Sequence, residues 1–128
     1  MKNGVMVMVG GAIGALGRYG LTLLLGSALW PTLIANSLGS FLLSLLMTGT
    51  YFRKKWTSAV HTGLTTGVLG GFTTFSTFSF ELIKTMQEEK YGVALLYAGL
   101  TFFVCLVFTA LGAMLSHHLA QRNKEATL

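Results

Sequence analysis

The chain has 128 residues, 52% of them hydrophobic and only 10% charged, where an ordinary soluble domain carries about a quarter charged residues. That balance excludes a soluble enzyme or carrier domain, which could not hide so much apolar surface. The net charge of +5 does not indicate a nucleic-acid partner, because the basic residues sit at the ends of apolar runs and not on one amphipathic face.

Four apolar spans follow one another, over about 4–27, 32–52, 57–86 and 91–118. About 20 helical residues at 1.5 Å each cross a hydrocarbon core, so each run is long enough. The connections are Trp30-Pro31, then Arg53 to Trp56, then Gln87 to Lys90, and no soluble domain fits between them. Lys2 and the apolar run behind it could imitate a signal peptide. No small-residue cleavage site closes that run, so it reads as the first membrane helix. The sequence thus predicts an all-α integral membrane protein, one transmembrane domain over 1–128.

In the first span, Gly10, Gly11, Gly14 and Gly17 make a small-residue face suited to close helix contact, within the chain or between subunits. Arg18 lies in the same span. An arginine near the bilayer centre costs about 2.5–3.5 kcal/mol on insertion scales, so it either meets a water-filled vestibule or a carboxylate, or snorkels to the interface. The second span carries Asn36, Ser40, Ser44 and Thr48 at steps of four, on one helix face. The amide of Asn36 can hold a dehydrated anion or bridge helices.

The third span contains Gly70-Gly71-Phe72-Thr73-Thr74-Phe75-Ser76-Thr77-Phe78. Two glycines and a block of hydroxyls suit an interrupted helix, and the break is expected at Gly70-Gly71. Irregular backbone at membrane depth is tolerated only where protein or water meets it, and freed carbonyls there suit an ion. Phe75 and Phe78 share a helix face, and an aromatic edge is positive enough to favour a small anion. Glu81 is the one acid inside any span and reads as a membrane boundary. The fourth span carries a polar rail of Tyr97, Thr101, Cys105 and Thr109. Cys105 is the single cysteine, so neither an intrachain disulfide nor a thiolate cluster can form. His61, His117 and His118 sit near helix ends without a nucleophile or acid beside them.

Charge sets the expected orientation. Lys2, Arg53, Lys54, Lys55, Arg122 and Lys124 fall on one side, against Lys84, Lys90, Glu88 and Glu89 on the other. The positive-inside rule then places both termini in the cytoplasm.

At these residues the chain resembles the Fluc (CrcB) family of fluoride channels, over nearly its whole length. The resemblance rests on the third-span signature, on Thr32-Leu33-Ile34-Ala35-Asn36 with Gly39-Ser40-Phe41, and on Thr109-Ala110-Leu111-Gly112. It implies passive, fluoride-selective export through two pores at the interface of an antiparallel, dual-topology dimer in a bacterial inner membrane. By the same resemblance Phe75 and Phe78 would line each pore. Asn36 would be the pore amide, and Tyr97, Thr101, Cys105 and Thr109 the polar track. Arg18 would stand in a vestibule. Carbonyls of Gly70 and Thr73 would hold a structural Na+ on the dimer axis. The charge bias bears on assembly, because a homodimer needs both insertion directions. A homodimer is favoured over a heterodimer with an oppositely oriented paralogue, since Asn36, Phe75 and Phe78 are all present. The alternatives are a small multidrug-type proton-coupled antiporter, which would need a membrane-embedded carboxylate that the first span lacks, and a non-transporting scaffold.

Overall fold

The computed structural model describes residues 2–26, 29–48, 52 and 55–125. They contain helix and no strand. The first two helices are α1 (Lys2–Leu25) and α2 (Trp30–Thr48). A third begins as α3 (Ser58–Thr62), widens into a π-helical stretch (Gly63–Leu69) and ends in one more turn, α4 (Gly70–Phe72). Then come α5 (Phe75–Gln87) and α6 (Tyr91–Glu125). Arg53 and Lys54, on which the expected orientation partly rests, lie outside the described residues.

Among the described residues, three helical stretches are long and apolar enough to cross a membrane: Asn3–Leu25, Trp30–Thr48 and Tyr91–Arg122. The expected span over 57–86 is interrupted, as its glycines and hydroxyls suggested: Thr73 and Thr74 are extended, with ψ of 154° and 127°. The expected position of the break, at Gly70-Gly71, is corrected. Both glycines stay helical, with Gly70 at φ −65° and ψ −34°. The interruption comes three residues later, where the Thr74 hydroxyl accepts the Thr77 N–H at 3.1 Å and caps α5. Trp30 and Pro31, read as a connection, form the first turn of α2, a position where proline's missing N–H is no loss.

The interior is built from small and hydroxyl-bearing residues, and the exterior is apolar. Ala35, Ala94, Ser37, Thr65, Thr101 and Ser116 are buried, while Leu24, Phe75 and Leu95 are more than three-quarters exposed. Lipid offers helices no hydrophobic driving force to associate, so close backbone packing has to supply it. The glycines do this. A Cβ on Gly10 or Gly14 would strike the carbonyl of Gly63 or Val68 in the π-helical stretch, and one on Gly71 would strike the Gly11 carbonyl. The small-residue face of α1 therefore serves packing within the chain. Along α2 and α6, Gly112 lies against the Phe41 carbonyl. Phe41 and Phe108 meet edge to face there, with centroids 6.5 Å apart.

α5 ends in a two-bond reverse turn. The Glu89 N–H donates to the Met86 carbonyl at 3.0 Å and the Lys90 N–H to the Thr85 carbonyl at 3.2 Å. Glu89 takes φ 60°, the left-handed conformation this motif requires. Lys90 bonds Glu88 at 2.8 Å, and this contact holds the Glu88 carboxyl below its usual range.

Candidate functional site

The interruption between α4 and α5 leaves peptide groups that a helix would have satisfied internally. Asn36 of α2 answers two of them. Its Nδ2 donates to the Thr74 carbonyl at 2.9 Å, and its Oδ1 accepts the Thr74 N–H at 2.8 Å. Of the two roles open to this amide, it performs the bridge. Its second N–H has no partner among the described residues, and Asn36 is one of the residues that line an open groove. Gly39, one turn on, leaves room for the Thr73 methyl.

That groove, about 660 Å³, runs between α2, the break and α6. Asn36, Gly70, Thr73, Phe75, Phe78, Thr101, Cys105 and Thr109 all line it. Phe75 and Phe78 lie with centroids 5.8 Å apart, and Phe75 is 79% exposed. Ser40 joins them from the α2 face, and Thr74 from the break.

The rail on α6 is uneven in what it can donate. Thr109 gives its hydroxyl proton to the Cys105 carbonyl at 2.8 Å, and its own carbonyl accepts from Ser44 at 2.7 Å. Cys105 Sγ lies 3.9 Å from Ser37 Oγ. Tyr97 lies outside the groove's lining. Its ring packs on Phe78 at 5.3 Å, and its hydroxyl donates to Glu81 Oε2 at 2.6 Å. Thr101 is buried, and its hydroxyl has no partner among the described residues. An unsatisfied buried hydroxyl costs about 1–3 kcal/mol, and among the rail hydroxyls of the described residues Thr101 is the one whose proton is uncommitted.

Glu81 is held from two sides. Thr32 donates to its Oε1 at 2.8 Å, so both oxygens are engaged, one from α2 and one from α6. Sequence reasoning missed this trio, whose members are 49 and 16 residues apart in the chain. Arg18 stands apart from the groove. It meets a hydroxyl and not a carboxylate: Nη1 reaches Thr77 Oγ1 at 3.4 Å. Its buried Nε has no partner among the described residues. His61 lies 3.2 Å from the Leu46 carbonyl and ties α3 to the end of α2, while His117 and His118 are exposed.

The carbonyls of Gly70 and Thr73 suit a hard cation. The Thr74 N–H that would close a helical bond to Gly70 is turned to Asn36, and the Thr77 N–H that would reach Thr73 goes to the Thr74 side chain. Leu69, by contrast, accepts from both the Thr73 N–H and its hydroxyl. Two carbonyls alone do not complete a cation's shell. Among the described residues no cluster of three or more His, Cys, Asp or Glu offers a different metal site.

Comparison with known proteins places this geometry in context. A family model described as CrcB-like protein, Camphor Resistance (CrcB), matches residues 5–113. The fluoride-specific ion channel FluC of Bordetella petrii is 38% identical over 119 residues, covering 91% of this chain and 93% of that protein. FluC 2 of Bacillus licheniformis is 45% identical over 111 residues, covering 84% and 83%. A FluC of Thermus thermophilus is 40% identical over 117 residues, covering 88% and 93%.

Proposed function

This chain belongs to the CrcB family of fluoride channels, and from that premise we propose that fluoride travels along the groove between α2, the break and α6. The protein is a fluoride channel and not an enzyme, a multi-pass protein of the cell membrane. The observation that carries the proposed route is the convergence of Asn36, Phe75, Phe78 and Thr101 on one open groove, with an amide N–H and a hydroxyl left unspent.

Those donors are neutral and few. A ring of cations would hold fluoride too tightly to release it, whereas binding in a channel must be weak enough to leave. The ring edges of Phe75 and Phe78 supply a further weak positive surface. Hydrogen fluoride enters uncharged and dissociates inside. A membrane potential negative inside drives the anion out with about 2.3 kcal/mol per 100 mV. Transport is therefore passive.

The groove is open along one side, and Phe75 stands outside the chain's own cover. This supports a second copy as the missing wall. In an antiparallel dimer each chain would contribute one groove, and the Gly70 and Thr73 carbonyls of both would meet a Na+ on the axis. The ion would then fasten the two breaks together and take no part in conduction. The pieces over 58–87 hold about 40 Å of helix by the 1.5 Å rise, against about 30 Å of hydrocarbon, so together they make the fourth crossing of one transmembrane domain.

The test is Thr101→Val in liposomes, read with a fluoride electrode. Loss of the free hydroxyl slows fluoride efflux while the protein elutes as before. Unchanged efflux would remove Thr101, and with it the α6 side of the route.

A further inference from the structure

We propose that Lys84 gathers fluoride at one mouth of the path, a role that rests on reading the groove as that path. A second cavity, of about 530 Å³, is lined among others by Thr22, Thr77, Phe80, Glu81, Lys84 and Glu88. The two spaces share a wall of bonded residues. Thr74 on the groove side donates to Thr77 on the cavity side at 3.0 Å. Phe78 on the groove side packs on Tyr97, whose hydroxyl reaches Glu81 on the cavity side.

The charge in this mouth needs explaining. Glu81 and Glu88 both line it, and two carboxylates repel an anion. Lys90 also lines it but is paired with Glu88 at 2.8 Å. Lys84 is exposed and makes no ion pair among the described residues. Thr77, Glu81 and Lys84 fall at steps of four and three, on one face of α5, and all three line the cavity. Lys84 also acts on its neighbour Glu88 four residues on, whose carboxyl is held low mainly by Lys90 and to a lesser degree by Lys84.

A surface lysine with no such role would change nothing in flux. A collecting lysine acts through a long-range field, and salt removes it. The Debye length is about 30 Å at 0.01 M and about 3 Å at 1 M. At a separation of about 8 Å in water, a unit charge changes the local concentration of an anion about two- to threefold, and reversal of its sign about fivefold.

The experiment uses the full chain in liposomes, with fluoride efflux measured at low and high concentrations of an impermeant potassium salt. Wild type, Lys84→Gln, Lys84→Glu and Lys84→Arg are compared, with chloride efflux as control. Lys84→Glu should lose about fivefold in fluoride efflux at low salt and rejoin the wild type at high salt. Lys84→Gln should lose about twofold, and Lys84→Arg should restore the salt dependence. Equal efflux from Lys84→Glu and a conducting wild type at low salt would overturn the proposal. An equal deficit at both salt levels would also overturn it, by marking a structural role. A wild type that carries no fluoride would instead bring down the groove reading on which this one rests.

Discussion

Replacing Asn36 with alanine removes both bonds that hold the break to α2 and leaves the Thr74 N–H and carbonyl without their partner. Polar contacts between membrane helices average about 0.6 kcal/mol each, which sets a floor near 1 kcal/mol for the pair. Orphaned peptide groups add about 1–3 kcal/mol apiece when sealed from water. Here the groove is open, so water relieves part of that penalty. The expected loss is therefore about 1–3 kcal/mol, measured as the free energy of unfolding in a denaturing detergent. Asn36→Asp separates the structural from the conducting role. A carboxylate still accepts the Thr74 N–H but loses the donor to the Thr74 carbonyl, and it places a negative charge beside the fluoride route. It should lose less stability than the alanine variant and lose fluoride efflux more completely. The reasoning is refuted if alanine leaves stability within a few tenths of a kcal/mol of wild type, or if the aspartate variant conducts normally.

Three further outcomes follow from the same geometry. Phe75→Ile or Phe78→Ile should slow fluoride efflux about two- to tenfold, the range of an aromatic contact worth about 0.5–1.5 kcal/mol, with elution on size exclusion unchanged. Normal efflux in both would sink the aromatic contribution. Gly112→Val should separate α2 from α6, since its Cβ falls on the Phe41 carbonyl. Overpacking of this kind costs about 1–3 kcal/mol or more, and a monodisperse, fully stable variant would contradict the packing described. Glu89→Gly should raise stability by about 1 kcal/mol, because glycine takes φ 60° without the Cβ clash that glutamate bears. A thermal midpoint at or below that of wild type would count against it.

The apolar runs made three spans legible, because membrane thickness dictates their length. Parts of the rails were legible too, Asn36 with Ser40 on α2 and Thr101, Cys105 and Thr109 on α6, since steps of four align residues on a helix whatever it packs against. The position of the break was not. Gly70 and Gly71 can signal either a broken helix or a close approach of two backbones, and here they serve the approach to Gly11. The signal that would have located it was Thr74 three residues before Thr77, a hydroxyl at cap spacing. Glu81 could not have been assigned from local pattern, because its partners Thr32 and Tyr97 come from two other helices. Nor could spacing distinguish Thr101, with its idle hydroxyl, from Thr109, whose proton is committed to the Cys105 carbonyl.

The most direct test is efflux from liposomes that hold this purified chain alone, with fluoride and chloride followed in parallel. The account predicts rapid loss of fluoride with chloride retained, which two copies of this chain in opposite orientations would provide. Retention of fluoride, or loss of both anions at similar rates, would contradict it.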